Sequence, residues 1–451
     1  MSERIAAIVL AAGMGTRMKS ALPKVLHPVA GKPMLEWVLD AVVNINADPI
    51  IVVTSPAHKM VRKAACNRAI VAVQNSPLGT GDAVLSTAKE LEDWCTYGGT
   101  VLVCFGDTPM ISYHSLSNLI TARKKINNPA VVVLGFEPDD AALYGRLLLA
   151  SDGTLERIIE VRDANPQVLS IKKCNGGAMA IDASVMFDML RKIDAQTDNF
   201  HLTDLVRIAR LSGRCCDVVN CNPVETQGVD CRIALARAED AMQTKLRALA
   251  MDGGVTMNAP DTVFFSHDTK LAQDVTVGPH VVFGLKVVVE KGAQIYAFSH
   301  LENTHVSVGA SIGPYARLRS GTRIGAAAHV GNFVEVKNAE IESSAKANHL
   351  SYIGDARVGN AANIGAGTIT CNYDGINKQY TNIGAESFIG SNTVLIAPLM
   401  IGDGAVIGAG STVTTNVNDD DLLVVRGKSK TIPGWGKRLR KGHIINKKTK
   451  D

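Results

Sequence analysis

Residues 383–413 read IGAESFIGSNTVLIAPLMIGDGAVIGAGSTV, and an aliphatic side chain returns at every sixth position of this stretch. Two earlier runs show the same period. The repeated positions are Val275, Val281, Val287, Val306, Ile312, Leu318, Ile324, Val330, Val336, Ile383, Ile389, Leu395, Ile401, Ile407 and Val413. A period of six fits neither an amphipathic helix nor a simple strand, and fifteen matches argue against chance spacing. The pattern predicts a parallel β-helix, in which each hexad forms one short side of a coil and its aliphatic residue points to the axis.

The register of the hexads slips between the runs, most clearly around TITCNYDGINKQYTNIG, residues 368–384. An insertion in a solenoid forms a loop on its surface, and such loops often carry function. Because each coil contacts only its neighbours, the flat flanks of the β-helix are free for self-association. A trimer is a plausible assembly on this basis.

The chain before about residue 230 has a different pattern, in which apolar runs typical of strands alternate with helix-like segments. The strand-like runs are IAAIVLAA (5–12), IIVVTS (50–55), IVAVQ (70–74), TVLVCFGD (100–107) and AVVVLGF (130–136). Helices are expected over 34–46 and from about Gly81. This alternation predicts βαβ units, a mostly parallel sheet, and ligands beyond the carboxyl ends of the strands.

A helical stretch over 229–251 separates the two patterns, with apolar residues at Ile233, Ala236, Leu246 and Leu249. Gly253 and Gly254 end it. We therefore expect an α/β protein with a Rossmann-like domain over 1–229, a linker helix over 230–253 and a β-helical domain over 254–451. A length of 451 residues also favours more than one domain, since single cores stop growing at roughly 250–300 residues.

The composition is that of an ordinary soluble protein, with 46% apolar and 5% aromatic residues. No apolar run approaches the roughly 18 residues that span a bilayer, and the start of the chain lacks a basic flank and a cleavage site, so we expect a cytoplasmic protein without membrane insertion. Nine cysteines without a C-x-x-C pair argue against disulfides or a zinc ribbon. Buried reduced thiols are the preferred interpretation, including for the group Cys215, Cys216 and Cys221.

Positive charge is concentrated in a tail, from Arg426 to the end of the chain. Ten Lys or Arg against one acid, Asp451, give this tail +9 and leave −5 for the rest of a chain whose net charge is +4. A solvated tail is the simpler interpretation. Contact with a phosphate-bearing ligand is the alternative.

The first strand runs into LAAGMGTRM, residues 10–18. A dinucleotide-binding loop would read G-x-G-x-x-G, but Met18 replaces its third glycine and Glu36 lies within a helix rather than at a strand end, which weakens that interpretation. The turn offers backbone N–H groups to phosphate, and Arg17 and Lys24 could neutralise a phosphoryl transition state. A tight turn with two surface cations is an equally simple reading of the loop alone.

A longer stretch of the sequence decides between these interpretations of the loop. LAAGMGTRM together with PKVLHPVAGKPML (23–35) resembles the sugar nucleotidyltransferases. With the hexads, the linker and NIGAGTITCNYDG (363–375), the resemblance covers nearly the whole chain. It is similar to the bacterial family that combines UDP-N-acetylglucosamine pyrophosphorylase with glucosamine-1-phosphate N-acetyltransferase. The resemblance implies a left-handed β-helix, a homotrimer, sugar phosphates, UTP and acetyl-CoA as substrates, Mg²⁺ as cofactor, and no nucleic-acid partner.

The resemblance also implies a uridylyltransferase site. Asp107 and Asp230 would hold Mg²⁺, although the family usually has Asn at the second position. A turn-forming role for Asp107 and a helix N-cap role for Asp230 are the structural alternatives. Arg17 and Lys24 would be catalytic. The residues implied to bind UDP-N-acetylglucosamine are Leu10, Ala11, Ala12, Gly13, Lys24, Gln74, Gly79, Thr80, Phe105, Gly106, Asp107, Gly145, Glu160, Asn175 and Asp230.

An acetyltransferase site is implied in the β-helix. His349, in KANHLSYIGD, would be the base that takes a proton from the amine, and Glu335 would orient or polarise it. Residues implied to bind glucosamine 1-phosphate are Arg319, Lys337, Tyr352 and Asn363. Residues implied to bind acetyl-CoA are Asn372, Tyr373, Ser391, Ala409 and Arg426. Taken singly, a loop histidine, flank charges and corner asparagines are more often structural in a β-helix.

Two other functions are compatible with parts of the pattern. One is a sugar nucleotidyltransferase whose β-helix serves only assembly or regulation, against which His349 and residues 363–375 argue. The other is a sugar-nucleotide-binding scaffold without catalysis. Arg17, Lys24 and Asp107 argue against that scaffold, while Asp230 leaves room for it.

Overall fold

The computed structural model describes residues 4–141, 144–193 and 200–440. They divide into two compact units. The first extends to Ala248 and includes Phe265–His267, and the second contains Leu249–Phe264 and the residues from Asp268 onward.

The first unit is built on a nine-stranded sheet that is mostly parallel. Seven strands follow one another in the order Cys216–Asn220, Val131–Phe136, Cys174–Asp182, Thr100–Phe105, Ile5–Leu10, Ile50–Thr54 and Ile70–Val73. Arg146–Leu149 and Leu155–Ile159 extend the sheet as an antiparallel pair. The five predicted strands are all present. Cys174–Asp182, which runs antiparallel to both of its main neighbours, is the exception to the predicted parallel order.

Helices cover both faces of this sheet. The α-helices of the first unit are Met34–Asn44, Lys59–Ala65, Thr80–Leu85, Ala88–Cys95, Tyr113–Arg123, Pro166–Leu169, Ala183–Leu190 and Asp204–Leu211. Short 3₁₀ turns are Thr16–Met18, Lys24–Leu26, Val161–Asp163 and Pro223–Thr226, and a small hairpin joins Pro28–Val29 to Lys32–Pro33.

The first strand shows why its sequence is continuously apolar. Ala6, Ile8 and Leu10 pack into one hydrophobic cluster, whereas Ala7 and Val9 pack into another on the opposite face. A strand buried on both faces needs an apolar side chain at every position, as central strands of parallel sheets do. The turn after residue 10 therefore lies at the carboxyl edge of a strand that is packed on both faces.

The second unit is a parallel β-helix, as the hexads predict. One sheet contains ten strands: Thr256–Met257, Thr276–Val277, Gln294–Ile295, Ser311–Ile312, His329–Asn332, Lys346–His349, Asn363–Ile364, Phe388–Ile389, Val406–Ile407 and Leu422–Leu423. The other fourteen strands form the remaining sides: Lys270–Leu271, Val282–Phe283, Val288–Val289, His300–Leu301, Thr304–Val306, Arg317–Leu318, Thr322–Ile324, Glu335–Ile341, Tyr352–Val358, Ile369–Cys371, Thr381–Ile383, Val394–Ile396, Leu399–Ile401 and Thr412–Val413. All fifteen hexad residues are at most 2% exposed, so the predicted axis is the core.

The register slips have two structural origins. Val306 pairs with Val289 rather than with Val287, so the first and second runs occupy different inward positions of the coil. The later slip is the predicted insertion. It begins after the strand Ile369–Cys371, and the ladder resumes at Thr381.

The helix predicted over 229–251 runs from Arg232 to Asp252 and is followed by Gly253 and by Gly254, whose φ is 94°. Its buried residues are Ala238, Met242, Gln243 and Arg247, while Ile233 and Leu249 are exposed. Among the described residues no helix combines the length and apolarity that crossing a membrane requires. Residues 426–440 of the basic tail are exposed, and residues 441–451 lie outside the described residues.

Two candidate active sites

A cavity of about 340 Å³ lies at the carboxyl edge of the parallel strands in the first unit. Its walls are Leu10, Ala11, Ala12, Gly13, Met14, Lys24, Val25, Gln74, Pro77, Gly79, Thr80, Ala83, Phe105 and Asp107. Ten of the residues predicted to contact the nucleotide sugar are in this set. Gly106, the next residue after Phe105, is buried, and an added Cβ there would lie 3.2 Å from the carbonyl oxygen of Leu10. The glycine therefore lets the two strand ends approach each other.

The turn after the first strand depends on Gly15. Its φ is 61°, and an added Cβ would lie 2.7 Å from the Cβ of Lys24. A side chain at this position would therefore be strained and would displace the lysine stem. Gly15 lets Lys24 reach the cavity.

Two ion pairs connect the two predicted catalytic cations of this site with the two predicted metal ligands. Lys24 Nζ binds Asp107 Oδ2, and both side chains are less than a fifth exposed. Arg17 Nη1 binds Asp230 Oδ2 at 2.7 Å in a more exposed position. The backbone N–H of Val229 donates to the carbonyl oxygen of Asp107 at 2.9 Å, which attaches the segment carrying Asp230 to the sheet edge. Each carboxylate thus faces a cation that a polyphosphate could recruit.

The donor set at this edge fits Mg²⁺. The ion is commonly bound through one or two carboxylates, with substrate phosphates and water completing its shell. Asp107 and Asp230 supply two hard oxygen donors on adjoining segments. Within the described ranges no group of three or more His, Cys, Asp or Glu side chains is arranged to hold a metal alone.

The predicted base-contacting residues form one hydrogen-bonded group. Buried Gln74 donates through Nε2 to the carbonyl oxygen of Gly79 at 3.0 Å and to Asp82 Oδ2 at 2.7 Å. Gly79 has φ 133°, and an added Cβ would lie 2.3 Å from the carbonyl oxygen of Phe200. Thr80 Oγ1 accepts from the backbone N–H of Leu202 at 2.9 Å, so this hydroxyl joins two segments of the chain.

The three residues predicted to hold the sugar and ribose hydroxyls lie together. The backbone N–H of Asn175 donates to the carbonyl oxygen of Gly145 at 2.8 Å. An added Cβ at Gly145 would lie 3.4 Å from Glu160 Oε2, so the carboxylate contacts the glycine. Glu160 Oε1 also accepts from Thr203 Oγ1 at 3.2 Å. Next to Gly145, burial together with the nearby Cys174 and Asp230 raises the pKa of Tyr144.

In the β-helix, His349 ends the strand Lys346–His349 and is exposed. Its Nδ1 lies 2.8 Å from Asn332 Oδ1, on the neighbouring coil. An amide oxygen only accepts, so in the neutral imidazole this contact places the ring proton on Nδ1 and the lone pair on Nε2. The sequence analysis did not single out Asn332. The feature that could have indicated it is its position one coil, or 17 residues, before His349.

Glu335, which we expected to orient His349, makes a different contact. Its Oε1 accepts from Arg319 Nη1 at 2.8 Å. Glu335 also lies opposite Tyr352 in the ladder, so it lies between two of the residues predicted to bind the sugar phosphate, Arg319 and Tyr352. The contact that orients His349 comes instead from Asn332.

A cluster of cations lies beside this group. A hydrogen bond with Lys378 and the positive charges of Lys378 and Arg319 lower the pKa of Lys337. Lys378 belongs to the insertion and was not predicted as a site residue. Three cations at one place favour an anion such as a sugar phosphate.

The predicted acetyl-CoA residues follow one another on successive coils. The backbone N–H of Gly410, next to Ala409, donates to the carbonyl oxygen of Ser391 at 2.8 Å. Arg426 Nε donates to the carbonyl oxygen of Ala409 at 3.0 Å. Asn372 is buried at the base of the insertion, whereas Tyr373 is largely exposed. Asn363 lies beside the strand of His349, paired with Lys346.

The fold and the two sites define a class of two-domain transferases, an NTP transferase followed by a hexapeptide-repeat transferase. The chain matches the family models for the MobA-like NTP transferase domain over residues 7–167 and for the bacterial transferase hexapeptide (six repeats) over residues 380–415.

Full-length relatives give the family. The chain is 48% identical over 452 residues to the Bifunctional protein GlmU of Paramagnetospirillum magneticum, covering 100% of both chains. It is 45% identical over 441 residues to that of Sphingopyxis alaskensis, covering 97% of each. It is 47% identical over 439 residues to that of a Ruegeria species, covering 96% of each. The chain therefore belongs to the bifunctional GlmU family, with N-acetylglucosamine-1-phosphate uridylyltransferase and glucosamine-1-phosphate acetyltransferase activities.

Proposed function

We propose that the 340 Å³ cavity of the first unit binds UTP and that the two basic residues beside it act on the phosphates. The phosphate oxygen of N-acetylglucosamine 1-phosphate attacks the α-phosphorus of UTP, and pyrophosphate leaves. Backbone N–H groups of the turn after Leu10, with Lys24 and Arg17, neutralise the charge that accumulates on the phosphoryl oxygens. Gln74 and Gly79 hold the base, and Gly145, Glu160 and Asn175 hold the sugar.

We assign Asp107 and Asp230 as the residues that would hold Mg²⁺. The ion supplies positive charge to the triphosphate when it is bound. The same two carboxylates are paired with Lys24 and Arg17, so these ion pairs would have to open for the carboxylates to hold the ion and for the two cations to meet the phosphates. The Asp at position 230 keeps a hard oxygen donor where the family usually has an amide oxygen.

For the second reaction we assign His349 as the base. With Nδ1–H bound to Asn332, Nε2 takes a proton from the amino group of glucosamine 1-phosphate. The amine nitrogen attacks the thioester carbonyl carbon, the carbon–sulfur bond breaks, and CoA leaves as the thiol after protonation. Arg319, Lys337, Tyr352 and Asn363 hold the sugar phosphate. Asn372, Tyr373, Ser391, Ala409 and Arg426 hold acetyl-CoA.

We further propose that the chain acts as a homotrimer. A ladder of stacked aromatic rings supports this: Phe298 and Tyr315 lie 4.9 Å apart, and Tyr315 and Phe333 lie 5.1 Å apart. All three rings are about half exposed in the single chain. The next exposed apolar residue in the same corner series is Leu350, beside His349, so a subunit packed on the ladder would adjoin the acetyl site. Light scattering that gives a monomer mass with full acetyl transfer would contradict this assembly.

Two further assignments complete the proposal. We keep residues 1–229, 230–253 and 254–451 as the functional division of the chain. We place the protein in the cytoplasm, where acetyl-CoA and UTP are made. The nine free cysteines are compatible with a reducing compartment.

The single observation that carries the first activity is the position of Lys24 and Asp107, paired and partly buried at the strand edge of the cavity. The test is to incubate the full chain with glucosamine 1-phosphate, acetyl-CoA, UTP and Mg²⁺ and to identify the products by mass. We expect free CoA, pyrophosphate and UDP-N-acetylglucosamine. Replacement of His349 by Ala should stop CoA release and leave uridylyl transfer to added N-acetylglucosamine 1-phosphate intact. Persistent CoA release in this variant would refute the base assignment.

A further inference from the structure

Three side chains of the β-helix form a polar row across consecutive coils, in which Asp355 and Asn372 are buried and Asn338 is exposed. Asn338 Nδ2 donates to Asp355 Oδ1 at 2.6 Å, and Asn372 Nδ2 donates to Asp355 Oδ2. Asp355 is 7% exposed and Asn372 is 8% exposed. Asn338 and Asp355 occupy matching corner positions, with φ of 45° and 46°, a backbone conformation that Asn and Asp tolerate better than most residues. Asp355 is therefore the shared acceptor at the centre of the row.

The charge state of Asp355 fixes the orientation of both amides. An ionised carboxylate only accepts hydrogen bonds, so each asparagine must turn its NH₂ group toward it. The oxygen Oδ1 of Asn372 is thereby directed away from Asp355. The negative charge of Asp355 also acts on Lys337, whose pKa it raises against the lowering effect of Lys378 and Arg319. A buried carboxylate with two amide donors and a nearby ammonium group is well compensated.

Asn372 is also the base of the insertion. The backbone N–H of Gln379 donates to its carbonyl oxygen at 2.8 Å, and Tyr373 and Lys378 form the next bridge of a small antiparallel loop. Asp374 caps the tip by accepting from the backbone N–H groups of Ile376 and Asn377. The loop thus has internal hydrogen bonds of its own. Among the contacts of its base, the hydrogen bond from Asn372 to Asp355 connects it to the polar row of the coil.

We propose that Asp355 is a positioning residue of the acetyl site, which sets the insertion loop so that Tyr373 and Lys378 face the bound substrates. This inference rests on the proposed acetyl site. The same carboxylate accepts from Asn338, the residue after Lys337 on the sugar-phosphate side, and from Asn372 on the acetyl-CoA side. Asp355 therefore couples the two substrate subsites without contacting the reacting atoms.

The test is a double-mutant cycle on the full-length protein that leaves Asn372 unchanged. The variants are Asp355→Asn, Asn338→Asp and the two together. In the first, one carboxylate oxygen becomes an NH₂ group that faces a donor. In the second, two carboxylates face each other. In the double variant, the amide introduced at position 355 donates to the carboxylate introduced at position 338 and accepts from Asn372, so both hydrogen bonds and the net charge are restored.

We expect each single change to raise the KM for glucosamine 1-phosphate and for acetyl-CoA by about tenfold or more, as the loss of a hydrogen bond to a charged group implies. The double variant should recover most of this loss. Uridylyl transfer should stay at the wild-type rate in all three, which serves as the folding control. Variant Asp355→Ala, with both bonds removed, should show the larger KM effect.

Unchanged KM values in folded single variants would overturn the proposal. So would a double variant that is no better than the singles, or variants that lose thermal stability of the β-helix while the folded fraction keeps wild-type kinetics. If Asp355→Ala does not fold, the cycle of Asp355→Asn, Asn338→Asp and the double variant still tests the positioning role of Asp355. If His349→Ala retains acetyl transfer, the proposed acetyl site itself fails. An inactive His349→Ala with a normal Asp355 cycle refutes the positioning role alone.

Discussion

Replacement of Asp107 by Ala tests the uridylyl site most sharply among the single changes. The carboxylate is 16% exposed and pairs with a Lys24 side chain that is 17% exposed, at the rim of the cavity. Breaking a fully buried pair costs about 3–5 kcal/mol of folding stability, but here water enters from the cavity and the cost should be smaller. The catalytic effect should be larger than the effect on folding. Loss of one preorganised electrostatic contact to the transition state costs roughly 3–4 kcal/mol, or a 10²–10³-fold lower kcat.

The assay is pyrophosphate release at saturating N-acetylglucosamine 1-phosphate, with Mg²⁺ titrated at each UTP concentration. Asp107→Ala should also need more Mg²⁺ for half-maximal rate, while CoA release by the same preparation stays normal. Asp217→Ala is the matched control, because Asp217 has the same 16% exposure and pairs with Lys125 at 2.7 Å in the same unit. Wild-type turnover with an unchanged Mg²⁺ titration in Asp107→Ala would refute the assignment, as would an equal loss in Asp217→Ala.

Four further predictions concern packing, the turn at Gly79 and the ionisation of thiols. Ile389→Ala removes a fully buried hexad side chain and should lower the free energy of unfolding, measured in urea, by about 2–5 kcal/mol. The control Ile396→Ala, at a side chain that is already 39% exposed, should lower it far less. Equal effects of the two changes would contradict the assignment of the hexad residues to the core. Gly79→Ala should abolish uridylyl transfer but not acetyl transfer, because the new Cβ would lie 2.3 Å from the carbonyl oxygen of Phe200. A variant with full uridylyl transfer would contradict this and would show that the backbone of the turn can shift to make room. Burial raises the pKa of three thiols, those of Cys95, Cys104 and Cys216, to about 12. A thiol reagent at pH 8 should therefore label the exposed Cys66 before these buried cysteines. These thiols ionise in the unfolded chain near pH 8.5, so stability should fall as pH rises from about 9 to 12, and Cys104→Ala should weaken that slope.

The β-helix could be predicted because its rule is local. One inward aliphatic residue per hexad is enough to define the coil, and every predicted position lies in the core. The linker helix shows the limit of such patterns. Ile233 and Leu249 are exposed, while polar Gln243 is buried because its amide exchanges hydrogen bonds with both the N–H and the C=O of Phe265. Sequence gives the polarity of a side chain but not a partner more than twenty positions away.

The same limit applies to the sites. Cys174–Asp182 has the composition of a strand, but its antiparallel insertion between two others depends on how the chain returns to the sheet. Resemblance supplied most of the proposed site residues by position. It did not supply Asn332, whose contact with His349 depends on a distance across one coil. Nor did it supply Lys378, which the path of the insertion brings to Lys337.

The central claim is that one chain carries two independent active sites linked by a free intermediate. Its most direct test is to mix purified Asp107→Ala with purified His349→Ala and to follow products by mass, starting from glucosamine 1-phosphate, acetyl-CoA, UTP and Mg²⁺. Alone, Asp107→Ala should accumulate N-acetylglucosamine 1-phosphate, and His349→Ala should release no CoA. The mixture should form UDP-N-acetylglucosamine at a rate set by the intact sites. Failure of the mixture to form it, with both variants folded and each active in its own half-reaction, would contradict the account.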